Sequence, residues 1–525
     1  MNSNIVHPDF QQRRPAAGSV PATGNEHFPP GSERAVPEQQ PSAAALAMKS
    51  RPRKLWMSGL SWSHDLLICA AMRGLGYPME PLPVPDKAAL RLGKEFGNRG
   101  QCNPTYYTVG NLIKHLQQLE AGGLSRQRII QEHAFVTAGA CGPCRFGMYI
   151  TEYRKALKDA GFDGFRVVLL QQEAGLQQIH GEQAVIEFSP RFFRTLLKAV
   201  LAGDVLNLMA YRLRPYELEA GATDSALARC RTLLSDALQQ GRSLPGALRR
   251  CRHILAAVAV NRLQPKPLVS IIGEFWAMTT EGEGNYHLQR FLEGQGAEVA
   301  IQPLSNWLLY LLWEQIQDTR RRLELRAQDG GVRGLQGTQP RKKLLLLKAA
   351  RFLFRAWFRR YAAAIGLQRY HLPDLDEMAR IADPYYDKEL RGGESFMEVG
   401  KLIDSVEARR AHLVVSVKPF GCMPSSSVSD GVQSLVTARY PEALFCAIET
   451  SGDGEVNAHS RIQMMLFKAH QVAREEYQDA LRRLGISEQE AGQRLARRRR
   501  QSSALYQPQR RCAGHAANLI LELER

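Results

Sequence analysis

Four of the chain's nine cysteines stand in glycine- and proline-punctuated turns: Cys102 in GQCNPTYYTVGN, Cys141 and Cys144 in TAGACGPCRFG, and Cys422 in KPFGCMPSSSVSDG. Thiolate is the donor that iron–sulfur clusters and zinc prefer, and glycine lets backbone N–H groups approach the bound sulfur closely. Three chemistries fit these residue types. A Cys-Gly-Pro-Cys turn between a strand and a helix describes a thiol–disulfide pair, but it leaves Cys102 and Cys422 without a part. Structural zinc usually takes two close pairs of cysteines, and only one pair is close here. A cluster tolerates scattered ligands, so a soft-metal site of Cys102, Cys141, Cys144 and Cys422, an iron–sulfur cluster before zinc, is the leading expectation; spacing leaves open whether Cys141 and Cys144 both ligate. Cys69, Cys230, Cys251 and Cys446 sit in apolar or helical stretches and read as small core fillers, and Cys512 reads as an incidental thiol in a basic tail.

Other polar residues fall near the same turns. Ser425, Ser426 and Ser427 follow Cys422 and are placed to donate hydrogen bonds to sulfur or to a carbonyl, or to cap a helix. Glu449, Asp453 and Glu455 in IETSGDGE offer acid–base groups, or capping of a helix starting near Val456. Glu449, Ser425 and Ser426 are the candidate catalytic groups. Glu274 and Asn285 belong to a further strand-to-helix turn of the second lobe, a place for a substrate group, and His64 is expected in a loop after a strand, as a site residue or, more often for such a histidine, a hydrogen-bonding neighbour.

The elements that must position these residues follow a repeated unit: a short β-rich apolar run, a glycine-containing loop, then a helix-patterned segment. LWMSGLSWSHDLLICAAMRGLGY, HAFVTAGACGPCRFGMYITEYRKALKDAGF with FRVVLLQQ, PLVSIIGEFWAMTT through GAEVAIQPL, and HLVVSVKPFGCMPSSS through ALFCAIETSGDGE are its four instances. Strand, helix and strand in succession require crossovers, so an α/β chain of Rossmann-like lobes with mainly parallel, doubly wound sheets is predicted. The expected division is 1–53 without structure, 54–264 as a first lobe with Cys102, Cys141 and Cys144 and a helical extension, 265–475 as a second lobe carrying Cys422 and a basic helical insertion over 306–410, and 476–525 as a basic tail. Ligands in such sheets gather at the carboxyl ends of the strands, which is where these thiols would open.

The net charge of +17 is concentrated. Residues 320–369 hold 14 Lys/Arg against two acids, and 482–511 hold 9 against two, so the cysteine-bearing remainder is near neutral, which argues against a nucleic-acid-binding face. The Arg497–Arg500 run reads as a solvated tail, and RKKLLLLKAARFLFRAWFRRY as a helix packing its Leu/Phe/Trp side on the body. No leader and no span-length apolar run is seen, and nine cysteines lack the regular spacing of a secreted scaffold; a soluble protein of the reducing cytoplasm is expected.

The segments GQCNPTYYTVGNLIKHLQ, FVTAGACGPCRFGMYITEYRKALKDAGFD, GEFW with its following GAEV, and KPFGCMPSSSVSDGVQS through SGDGEVNAHSRIQM together resemble the activase-associated branch of the 2-hydroxyacyl-CoA dehydratase D-component superfamily, which includes 2-hydroxyglutaryl-CoA dehydratase subunits, benzoyl-CoA reductase components and double-cubane cluster proteins. The resemblance covers roughly residues 54–475. It implies a [4Fe–4S] cluster on Cys102, Cys141 and Cys422, with Cys144 as an additional or alternative ligand, and an electron delivered at low potential by a separate ATPase activator for radical or reductive acyl-CoA chemistry. It also implies a homo- or heterodimer of related subunits. No G-x-x-x-x-G-K-[ST] loop occurs, and residues 1–53 are too short for the activator domain that precedes this region in fused members, so the activator is expected to be another chain. A cluster-bearing scaffold that acts without catalysis and the dithiol oxidoreductase at Cys141 and Cys144 are the alternatives.

Overall fold

The computed structural model describes residues 52–139, 144–171, 186–328, 339–390 and 396–523, all within one compact unit. Cys141, one of the predicted ligands, lies outside the described residues, as do most of the amino-terminal segment 1–53 and the Gly/Gln patch around residue 335.

The first lobe runs β1 (Lys54–Met57), α1 (Trp62–Arg73), β2 (Met79–Pro81), α2 (Lys87–Phe96), α3 (Asn103–Ala121), α4 (Arg126–Glu132), β3 (His133–Gly139), α5 (Tyr149–Asp159) and β4 (Arg166–Gln171). Its four strands are parallel in the order β2-β1-β3-β4, with Leu55 opposite Met79 on one side and opposite Ala134 on the other. Residues 133–137 of β3 are all buried, the mark of a strand covered by helices on both faces. The sequence pattern does not show β2: three residues ending in proline carry no periodicity, and β1 supplies its pairing.

A helical block follows, of α6 (Pro190–Leu213), α7 (Ala222–Gln239) and α8 (Leu244–Ala256). Ser189 opens α6 by accepting from the Phe192 N–H, with Pro190 at the first helical position, where its missing N–H costs nothing. The second lobe then runs β5 (Leu268–Gly273), α9 (Phe275–Thr279), α10 (Leu288–Gly294), β6 (Glu298–Ile301), α11 (Leu304–Gln328), α12 (Pro340–Ile365), α13 (Leu375–Ala382), α14 (Phe396–Glu407), β7 (Leu413–Pro419), α15 (Met423–Ser427), α16 (Gln433–Arg439) and β8 (Phe445–Thr450). Its sheet is again all parallel, ordered β6-β5-β7-β8. Both lobes thus place their switch point between the first and third strands, β1/β3 and β5/β7. At the second, the chain passes so close to β7 that a Cβ on Gly273 would strike the Val417 backbone, and its φ of +121° also calls for glycine.

Two sequence expectations change. The basic carboxyl-terminal stretch is folded: α17 (Glu455–Leu484), α18 (Glu488–Ala496) and α19 (His515–Glu522) close a cluster of their own from Tyr477, Leu481, Ile520 and Leu521, and the Arg498 guanidinium donates to the carbonyls of Glu522 and Leu523. In α12 the second half buries Phe354, Phe358 and Tyr361 as expected, whereas Leu345, Leu346, Phe352 and Leu353 stand exposed. No helix among the described residues is long and apolar enough to cross a membrane.

Candidate thiol site at the switch points

Three of the predicted thiols stand on turns near one another where the two lobes join, the Cys422 turn packed on the Cys102 turn and Cys144 in electrostatic range of both. Cys102 is the residue immediately ahead of α3, extended at φ −76° and ψ 154°, with Pro104 in the first turn. Cys422 holds the same position ahead of α15, and Cys144 ahead of the short 3₁₀ turn Arg145–Met148 that leads into α5. Each thiol therefore sits at a helix entry just past a turn. Cys144 and Cys422 follow β3 and β7, which are equivalent strands of the two sheets.

Backbone contacts hold the lobes together at this point. The Asn103 N–H donates to the Phe420 carbonyl at 3.0 Å, and the Asn103 side chain donates to the Thr450 carbonyl. A Cβ on Gly421 would stand 3.0 Å from the Gln101 carbonyl oxygen and 3.1 Å from the Cys102 Cα. The turn carrying Cys422 is thus pressed against the turn carrying Cys102, although 320 residues separate them in sequence. Tyr107 reinforces the junction, its hydroxyl donating to the Glu283 carbonyl at 3.2 Å and its ring 5.6 Å from that of Trp276.

Cys102 and Cys422 are buried and Cys144 is half-buried. The Cys102 Sγ lies 3.1 Å from the Thr105 hydroxyl and 3.3 Å from the Tyr149 hydroxyl. Tyr149 is itself buried, and burial followed by the nearby Cys102 sulfur pushes its hydroxyl well above the usual range, so it stays a donor. Burial also pushes the Cys144 thiol up to about 11, with Glu274 and Cys102 adding to the rise against a Phe146 backbone N–H. Cys422 is driven up in the same way, by burial first and then Glu274, against hydrogen bonds from Ser425. Glu274, a minor candidate from sequence, emerges as the carboxylate beside two of the three thiols: it caps α9 by accepting from the Ala277 N–H at 2.8 Å and acts on Cys144, Cys422 and Tyr149.

The donor set fits a soft cation. Burial and a neighbouring carboxylate hold the Cys144 and Cys422 thiols protonated, and a bound cation would reverse both effects by neutralising the thiolates as they form. Among the described residues no three His, Cys, Asp or Glu side chains are already gathered to metal-binding distance.

The remaining candidates divide. Ser425 is buried beside Cys422, whereas Ser426 and Ser427 turn back to donate to the carbonyls of Cys422 and Pro424 instead of capping the helix. Glu449 pairs with Lys418 on the adjacent strand at 3.3 Å, and Glu455 in the first turn of α17 pairs with Lys87 at 2.9 Å. Position 454 ahead of α17 is glycine, so neither Asp453 nor Glu455 takes the capping position. Asn285 is buried and donates to the carbonyls of Ala277 and Thr280, a loop-closing role. His64 lies within α1, not in a loop, between the Ser61 hydroxyl at 2.8 Å and Asp204 at 3.2 Å. Asp204 in turn accepts from the N–H groups of Leu304 and Ser305, so this network fastens α1 and α6 to the start of α11. Cys69, Cys230, Cys251 and Cys446 are buried fillers as expected; Cys512 is half-buried, its thiol 3.4 Å from the Asn518 side-chain oxygen. Tyr149 and Thr105 were missed in sequence; the signal was their placement one helical turn beyond a cysteine-bearing turn.

No family model matches the chain, and no curated protein matches it.

Proposed function

We propose that the chain is an iron–sulfur protein whose cluster, a [4Fe–4S] cluster in the family it resembles, is held by Cys102, Cys422 and the Cys141/Cys144 turn. The observation that carries this reading is the packing of the Cys102 turn directly on the Cys422 turn, with Cys144 in electrostatic range of both. When bound, such a cluster supplies one-electron transfer at low potential and, with three cysteine ligands, one iron open to a substrate oxygen. The chain's own residues set the surroundings: the Tyr149 and Thr105 hydroxyls lie within hydrogen-bond distance of the Cys102 sulfur and would donate to it as a thiolate, Ser425 does so toward the Cys422 sulfur, and the burial of Cys102 and Cys422 limits water at the sulfurs. Glu274 is the group placed to hold or return a proton beside a reacting oxygen.

The electron source is a separate ATP-hydrolysing activator, and the substrate class is an acyl-CoA, as in the 2-hydroxyacyl-CoA dehydratases and benzoyl-CoA reductases. Exposed Met148, Phe420 and Met423 flank the thiols and suit a surface covered by an activator or by a second related subunit. A dithiol at Cys141 and Cys144 alone gives no reason for the Cys102 and Cys422 turns to pack against each other. Anaerobic purification followed by iron and sulfide analysis and a paramagnetic-resonance spectrum of the reduced protein tests the reading. Near-stoichiometric iron and sulfide with a reduced-cluster signal are expected, and a folded protein free of both, after anaerobic expression with iron, removes it.

A further inference from the structure

The two arginine-rich segments, which the proposed cluster chemistry leaves unused, come together in space. Arg369 follows α12 and Arg500 follows α18. The Arg369 guanidinium donates to the Gln507 carbonyl at 2.8 Å, and its N–H donates to the Gln507 side chain at 3.2 Å. With Arg252 of α8 they line a recess of about 280 Å³ whose floor is Leu505 and Tyr506 and whose wall includes Gly366. A Cβ at Gly366 would stand 3.2 Å from Leu505, and its φ of +112° disfavours any side chain, so this wall stays bare.

Three guanidiniums in one recess repel one another, and the carboxylates nearby do not balance them. Arg369 pairs with Glu522 at 3.1 Å. Among the described residues Arg252 and Arg500 have no carboxylate partner; the Arg500 guanidinium instead lies 6.0 Å from the Tyr506 ring centre, and that of Arg369 lies 5.7 Å from it. Glu522 is shared further, accepting from the Tyr506 hydroxyl and the Gln509 N–H, so it is spent on holding the wall. The carboxyl end of α12 points its dipole here, but that amounts to about half a negative charge, and the Gly366 and Leu367 N–H groups already take the Ala362 carbonyl. Positive charge therefore dominates the recess.

We propose that this recess binds a small phosphomonoester. A phosphate dianion takes two guanidinium forks at once, which a single carboxylate does less well. The volume exceeds that of a bare anion and falls just short of a drug-sized pocket, leaving room for a short body whose hydroxyls Gln368 and Ser503 would meet. This assignment is independent of the cluster: it concerns a different set of residues and stands whether or not iron is found.

The test is calorimetric titration of the full-length protein with glycerol 3-phosphate and with inorganic phosphate, chloride being used to match ionic strength. Saturable one-site binding is expected, tighter for the ester. The double variant Arg252→Ala/Arg500→Ala weakens it by about tenfold or more, Arg252→Lys/Arg500→Lys by less, and Arg359→Ala, an exposed arginine elsewhere on α12, leaves it unchanged. Thermal melts of each variant check that the fold is kept; Arg252 and Arg500 are both exposed, so it should be. Binding that never saturates, or that Arg359→Ala weakens equally, overturns the proposal. So does binding confined to phosphatidic acid vesicles with none to the free ester, which would assign the arginines to a lipid headgroup.

Discussion

Tyr149 is the most informative side chain beyond the cysteines, because its hydroxyl is buried, remains protonated and faces the Cys102 sulfur at 3.3 Å. Hydrogen bonds to cluster sulfur stabilise the reduced, more negative state and raise the potential. Tyr149→Phe is therefore expected to keep the iron content and lower the midpoint potential in an anaerobic redox titration, whereas Cys102→Ala and Cys422→Ala should each lose the visible chromophore with the thermal melt retained. A potential unmoved in Tyr149→Phe would show that the hydroxyl only fills space. A second residue makes a pH prediction away from the thiols. Burial pushes the Asp65 carboxyl up to about 7, against the opposing His64 charge and the backbone N–H groups of Leu60 and Gly59. Folded protein thus keeps a proton that the unfolded chain sheds near pH ~4, so stability falls as pH rises from about 4 to about 7 and the penalty is complete above that. Asp65→Asn should melt above the unmutated protein at pH 8 and approach it toward pH 4, and equal melts at both pH values would contradict the burial argument.

At the scale of elements, α3 decides where Cys102 stands, and α3 is set by its crossing with α2. A Cβ on Gly93 would collide with the Tyr106 backbone and one on Gly110 with the Ala89 carbonyl, so the two helices approach to backbone distance through a pair of glycines. Overpacking of this kind costs about 1–3 kcal/mol, and more where the obstacle is backbone. Gly110→Ala should lower the melting temperature and, by shifting the amino-terminal end of α3, lower the iron content as well. Retained iron alongside a lowered melt would mean that the Phe420 contact, not the α2 crossing, positions Cys102. The main elements were legible in the sequence because β3, β5, β7 and β8 are dense apolar runs followed by glycine turns, and the switch-point rule sent Cys144 and Cys422 to strand ends. What was illegible has physical causes. β2 is too short for a pattern and exists through its partner. Glu274 read only as part of a strand-to-helix turn; that it caps α9, and that the pairing of β5 with β7 brings it beside Cys144 and Cys422, shows only in the fold. In α12 the heptad-like run buries one face and leaves Leu345 and Phe352 on another, and periodicity alone does not choose between two apolar faces.

At the scale of the molecule, the basic carboxyl-terminal stretch is a structural keystone whose arginines disguised it as a tail. Leu495, Ile520 and Leu521 are interleaved with charge in sequence yet close over Tyr477 and Leu481 in space. The segment also fastens the base of the second sheet. The Gly514 N–H donates to Glu476 at 2.7 Å, and Glu476 holds the His412 ring at 3.0 Å. The other ring nitrogen of His412 accepts from the Leu268 N–H at the start of β5. Buried Arg262 donates to the Ala504 carbonyl and meets His515 at 3.0 Å. Removing residues 486–525 takes away several large aliphatic side chains, each worth about 1.5–3 kcal/mol of burial, together with the partners of Arg262 and Glu476. Loss on the order of 5 kcal/mol or more rivals the whole stability of a domain. Truncation at 485 should therefore give a protein that melts far lower or aggregates, while Arg497→Gln with Arg499→Gln, which removes two exposed charges and no buried contact, should change stability by less than about 0.5 kcal/mol. Scanning calorimetry of the two variants separates charge from packing: if the truncated chain unfolds at the same temperature as the full one, the segment is an appendage and the His412–Glu476–Gly514 linkage carries no weight.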